Sequence, residues 1–123
     1  MRTDDLAWAV RALAQPAKIQ RTLFPSFAAT ADELALIFEE HYQPAIARQG
    51  NTWTEIQALT LQLLDQQLTE MSGPKKEEIW VKDDCLDHAD WSVVRRLANE
   101  AISAFGWPAE APPPSDAIYI PTS

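Results

Sequence analysis

The densest group of chemically versatile side chains lies in the run DDCLDHAD at residues 83–90, which holds four carboxylates, a thiol and an imidazole. The spacing Cys85-x-x-His88 occurs in zinc sites, where thiolate and imidazole are ligands. Zinc usually takes four ligands, however, and the chain has no second Cys–His pair. The run also lacks the glycine and the terminal glutamate of a calcium loop. We therefore expect no metal and no cofactor, and keep Asp84, Cys85, Asp87 and His88 as ligand or metal candidates for an alternative hypothesis.

The same run is also typical of the start of a helix. Asp87 or Asp90 can cap the helix that follows, and the remaining acids favour the positive end of its dipole. Cys85 is then a small buried apolar residue. A nucleophilic Cys85 would need a stabilised thiolate, whereas the neighbouring carboxylates destabilise one. This interpretation predicts a structural role for the run and no catalytic residue.

The second histidine, His41, follows Glu39 and Glu40 at the edge of an apolar helical face. Adjacent residues do not face each other on a helix, so neither glutamate pairs well with this imidazole as a general base. The expected role is a partly buried boundary residue. The alternative hypothesis is an enzyme or small-ligand binder with a pocket between helices, using His41 or the Cys85/His88 pair. The chain contains no glycine-rich phosphate loop, Gly-x-Ser-x-Gly or His-Glu-x-x-His motif to support it.

Five tryptophans are many for 123 residues. Trp53, Trp91 and Trp107 fall on predicted core positions, but Trp8 points to the same side of the first predicted helix as Arg11, opposite the apolar residues. An outward tryptophan is either covered by the loop at 17–28 or the tail, or serves as an anchor for a partner. Trp8 and Arg11 are therefore the interface candidates.

The elements that must position these side chains are four amphipathic segments with the period of an α-helix, at about residues 4–15, 30–50, 52–72 and 90–105. Capping boxes at Thr30–Glu33 and Thr52–Glu55 predict the starts of the second and third helices. Pro44 predicts a kink or break near Tyr42. Gly106 suits the left-handed position that ends the fourth helix.

The third helix has the widest apolar arc, roughly 200° on a helical projection. A stripe that wide needs cover on more than one side, which predicts that this helix is central. The fold class is therefore all-α: a bundle of four main helices plus one or two short helical turns. Residues 78–82 and 117–120 are β-rich and can pair as a minor two-stranded ribbon.

The expected organisation is one helical domain, residues 1–111, followed by a proline-rich extended tail, residues 112–123. Docking of the tail on the domain is the expectation, and a mobile extended arm is the alternative. The charge of −8 with a pI near 4.6 opposes binding to phosphate backbones, so we expect no nucleic-acid partner.

Three features of the sequence predict a cytoplasmic protein without a membrane partner. No run of eighteen apolar residues is present. The acidic Asp4 and Asp5 lie where a secretory signal would place its apolar region. The one cysteine, Cys85, forms no internal disulfide.

The function predicted from these features is macromolecular binding by a small acidic helical protein, without catalysis of its own. The expected partner is another protein or a second copy of the chain. A two-fold homodimer is the simplest use of surplus apolar surface. Trp8 is expected at or near that contact.

Overall fold

All four amphipathic segments form helices in the computed structural model, which describes residues 5–24, 30–71, 80 and 85–112. The all-α prediction is confirmed, and no strand occurs in these ranges. The β-rich pair at 78–82 and 117–120 lies outside them, apart from Trp80. The described elements are the 3₁₀ turns Gly50–Thr52 and Cys85–Asp87 and the helices α1 (Asp5–Ala14), α2 (Ala17–Gln20), α3 (Thr30–Gln49), α4 (Glu55–Glu70) and α5 (Ala89–Phe105).

The inner helices of the bundle are α1, which packs against α3 and α5, and α5, which packs against α1 and α4. Four alanines make α1 narrow enough for neighbours on two sides, and Val10 and Leu13 between them are fully buried. The expectation that the third long helix is central is therefore wrong. That helix, α4, buries Leu61, Leu64 and Leu68 and leaves another part of its apolar arc in solvent.

The start of α4 differs from the predicted one by two residues. The capping box is formed by Thr54 and Gln57: the Thr54 hydroxyl accepts from the Gln57 N–H, and the Gln57 side chain accepts from the Thr54 N–H. Thr52 instead ends the 3₁₀ turn and donates its hydroxyl hydrogen to the Gln49 carbonyl. Because the 3₁₀ turn Gly50–Thr52 lies between α3 and α4, the N-cap of α4 is two residues later than predicted.

Pro44 does not break α3, which continues to Gln49. The ring lies on the exposed side of the helix, where water can hydrogen-bond the carbonyl that loses its N–H partner. The predicted end of α5 is confirmed: Gly106 has a φ of 73°, and the Trp107 N–H donates to the Ile102 carbonyl.

Buried polar side chains join α1 to its neighbours. Gln20 is fully buried and donates to the carbonyls of Ala12 and Leu13, while its own carbonyl oxygen accepts from Arg95 at 3.3 Å. These bonds satisfy polar groups at the end of α1 that would otherwise be unpaired in the core. Within the described ranges, no helix combines the length and apolar character that crossing a membrane requires.

Candidate functional site

The run at residues 85–90 builds the start of α5. His88 is the N-cap, and its Nδ1 atom accepts from the Asp90 N–H at 3.1 Å, a role that the sequence had assigned to Asp87 or Asp90. Asp87 lies in the preceding 3₁₀ turn and forms an ion pair with Arg21 at 3.2 Å. Cys85 is buried in the hydrophobic core.

Cys85, Asp87 and His88 therefore each make contacts that support the fold. Asp83 and Asp84 lie outside the described residues. Across the part of the chain that is described, no group of three or more His, Cys, Asp or Glu side chains is arranged to hold a metal ion.

His41 is half-buried on α3, beside Phe38 and Tyr42, whose rings stack in the core 5.1 Å apart. Its boundary position is the one that the helical pattern predicts. The two cavities described below are lined by neither His41, Cys85 nor His88.

Trp8 is only 6% exposed, because Phe24 covers it edge-on with the ring centres 6.0 Å apart. Of the two alternatives for Trp8, cover by the loop at 17–28 is the one found: Phe24, in the segment after α1, packs over it. Arg11 donates to the carbonyl oxygens of Glu110 and Ala111 at 3.1 and 3.5 Å. Both interface candidates make contacts within the chain itself.

Among the described residues, large apolar side chains are exposed on α3, at Leu36 and Ile46, and in a row on α4. Ile56, Leu59 and Leu63 are 66%, 51% and 37% exposed and recur at helical spacing, so they form one continuous stripe, which we call the α4 strip. Single exposed leucines are ordinary on protein surfaces, but a row on one helix face is not. Sequence analysis expected the apolar arc of this helix to be covered on more than one side; the signal it contained was that the arc is too wide for one neighbour.

A groove of about 670 Å³ runs beside the α4 strip, between α4 and α5. Ile56 belongs to both the strip and the groove, so the apolar surface continues into the depression. The opposite wall is polar, with Arg96 and Glu100 of α5 joined by an ion pair at 3.2 Å. The groove therefore has an apolar side on α4, at Ile56, and a charged side on α5, at Arg96 and Glu100.

The α4 strip has an acidic residue near each end. α4 contains Glu55, Asp65 and Glu70 and no lysine or arginine. On the opposite face of α4, towards α3, Asp65 lies near Glu39; the pKa of Glu39 is raised by burial first and then by the charge of Asp65. The helix therefore presents apolar side chains in a negative field.

A second cavity, of about 280 Å³, lies at the end of the bundle where α1, α4 and α5 meet. Its walls include Trp53, Phe105 and Trp107; the Phe105 and Trp107 rings stack at 4.3 Å, and Trp53 meets Phe105 at 90°. These rings are half-buried and largely cover one another. The cavity is a gap beside a packed aromatic cluster that closes the bundle.

In the part of the chain that is described, the α4 strip and the adjoining groove combine exposed apolar side chains with a depression beside them. They bring together Ile56, Leu59, Leu63, Arg96 and Glu100 from two helices. This arrangement can bind a surface with an apolar ridge and polar edges. No protein-family model, curated protein or solved structure matches this chain, so its function has to be argued from these surfaces.

Proposed function

We propose that this protein acts by binding another protein through the α4 strip and the groove beside it, without catalysis of its own. The observation that carries the proposal is the exposure of Ile56, Leu59 and Leu63 in one row. Removing such side chains from water is favourable at roughly 25 cal/mol per Å² of apolar surface. A helix face that keeps them exposed is therefore suited to contact with a partner.

The groove supports the same proposal by its shape. A depression between two helices with one apolar wall can accept a ridge of side chains from a partner helix. The polar wall, with Arg96 and Glu100, adds groups that fix the partner's orientation. The site thus has an apolar centre with a polar rim, as protein interfaces commonly do.

The experiment that tests the proposal compares two leucines of equal exposure. Leu59 in the strip and Leu36 on α3 are both 51% exposed. Tagged wild type, Leu59→Asp and Leu36→Asp are used to capture proteins from extracts of the native cell, followed by quantitative mass spectrometry. We expect a protein that is retained by the wild type and by Leu36→Asp and reduced about tenfold with Leu59→Asp, because the aspartate would be buried without a partner charge. Equal capture by all three would contradict the proposal.

A second copy of the chain is the other candidate partner, because the α4 strip offers the surplus apolar surface that predicts a homodimer. Trp8 is not expected at this homodimer contact, since it is covered by Phe24. The charge of −8 on each copy opposes association, so added salt should strengthen a dimer. Sedimentation of the wild type and Leu59→Asp at low and high salt tests it; a monomer in all four conditions would remove the homodimer.

A further inference from the structure

The α4 strip ends in a glutamate on both sides. Glu55 directly precedes Ile56, and Glu70 follows Leu63 by seven residues, which returns it to the same side of the helix. Both carboxylates are exposed, and the uncharged Gln66 lies between the strip and Glu70. A partner lying along α4 therefore meets negative charge at both ends of the apolar contact.

Glu70 is also placed against the helix dipole. The last turn of a helix carries partial negative charge and favours a cation, yet α4 has no basic residue in its last turn. The carboxylate is therefore unfavourable for α4 itself. Lys75 and Lys76 lie outside the described residues; within these, α4 has no basic side chain of its own near Glu70, so a partner's cation would compensate both the carboxylate and the helix end.

The other wall of the groove adds a third carboxylate. Glu100 lines the groove and is paired with Arg96 at 3.2 Å, with both side chains half or more exposed to solvent. An exposed pair of this kind contributes little to stability, so it can be exchanged at low cost. Glu100 can therefore accept a partner's cation while Arg96 turns to solvent.

We propose that the partner is a basic amphipathic helix that lies along α4, an inference that rests on the function proposed above. The rise of an α-helix puts Ile56 and Leu63 about 10 Å apart and Glu55 and Glu70 about 22 Å apart. The matching partner is a helix of about four turns. Its apolar residues, at helical spacing, occupy the two turns next to the end that meets Glu55, and Lys or Arg lies near each end.

A second copy fits this surface less well than a basic helix does. It would bring an identical α4, with three acidic and no basic residues, against the same acidic surroundings. Like charges across an interface oppose association, whereas opposite charges accelerate it and select the partner. Charge complementarity thus favours the basic helix.

The first test uses a fluorescein-labelled peptide of about 18 residues, with two lysines at each end and a leucine stripe in the two turns next to one of the lysine pairs. Its anisotropy is measured with the full-length wild type. We expect saturable binding that weakens about tenfold when the salt concentration is raised from about 50 to 300 mM, because the lysine–glutamate contacts are screened. A peptide with the same stripe and glutamates in place of the lysines should bind at least tenfold more weakly. Equal binding of the two peptides would overturn the proposal.

The second test exchanges the charges on the protein. We expect the variant Glu55→Lys/Glu70→Lys to lose the lysine peptide and to bind the glutamate peptide instead. The matched control is Glu40→Lys/Glu110→Lys, which changes the net charge equally at exposed positions outside α4. The control should bind the lysine peptide within about twofold of the wild type, since distant surface charges are screened.

The outcomes separate this proposal from the function on which it rests. If Leu59→Asp weakens peptide binding but the exchange of Glu55 and Glu70 does not, the α4 strip binds proteins and the basic-partner inference is wrong. If the control variant loses as much binding as the α4 variant, only net charge matters and the inference is again wrong. A wild type that binds no peptide but dimerises through Leu59 would identify a second copy as the occupant.

Discussion

At the scale of single residues, the structure shows how one side chain can take the role that the sequence offered to its neighbours. Either Asp87 or Asp90 would be an ordinary N-cap for α5, yet His88 holds that position. Asp87 is turned towards Arg21, and Asp90 follows the cap and supplies the N–H that His88 accepts. A local sequence contains several adequate caps, and the contacts of the surrounding chain decide among them.

The Glu39 carboxyl predicts that the stability of the fold depends on pH. Its pKa lies above the ordinary value of 4.5, because it is partly desolvated, lies near the charge of Asp65 and shares a hydrogen bond with it, while a bond to Gln43 acts in the opposite direction. An acid with a raised pKa in the folded state binds protons more tightly there than in the unfolded chain. The protonated Glu39 carboxyl therefore stabilises the folded state below about pH 4.5, and this stabilisation is lost as the pH rises through the folded-state pKa.

We therefore expect Glu39→Gln to be more stable than the wild type at pH 7, by about 0.5 kcal/mol for a pair this exposed. The advantage should shrink as the pH is lowered towards 4.5, where the wild-type carboxyl takes up its proton. Urea unfolding at several pH values measures this difference in stability. The matched control is Glu40→Gln, at the neighbouring exposed position. A Glu39→Gln variant that is less stable at pH 7 would show that the carboxylate is favourable where it lies.

At the scale of helices, α4 divides its apolar residues between two environments. Leu61 is fully buried, whereas Leu59, two residues earlier, is half exposed. We expect Leu61→Ala to cost about 2–5 kcal/mol, because it leaves a cavity in the core. Leu59→Ala should change the free energy of unfolding by less than about 0.5 kcal/mol, as is usual for surface positions. Chemical denaturation measures both, and equal losses would mean that the strip is covered in solution.

The start of α4 gives a second comparison of near neighbours. Thr54→Ala removes the hydroxyl that accepts from the Gln57 N–H, and we expect it to cost about 1 kcal/mol. Thr52→Ala removes only an exposed bond to the Gln49 carbonyl and should cost less than about 0.5 kcal/mol. Thermal unfolding ranks the two variants. The reverse order would support the capping box at Thr52–Glu55 that the sequence predicted.

At the scale of the whole molecule, the helices are held together by a continuous apolar core with a few buried polar bonds. Cys85 belongs to that core and His88 caps α5. We therefore expect EDTA to leave the helical circular dichroism and the melting temperature unchanged. A structural metal would contribute directly to folding, so a loss of helix on chelation would contradict this prediction. Re-addition of zinc or calcium would then identify the ion.

The sequence by itself determined where the long helices lie and how α5 ends. Apolar periodicity and the position of Gly106 are local features, and a helix satisfies its backbone hydrogen bonds within its own segment. Only the tertiary structure decided which apolar faces are buried. The arc of α4 showed how much apolar surface the helix has, but not that α5 covers one part and leaves Leu59 exposed. Trp8 is covered for the same reason: Phe24 is distant along the chain and reaches it only after the segment beyond α1 has turned back.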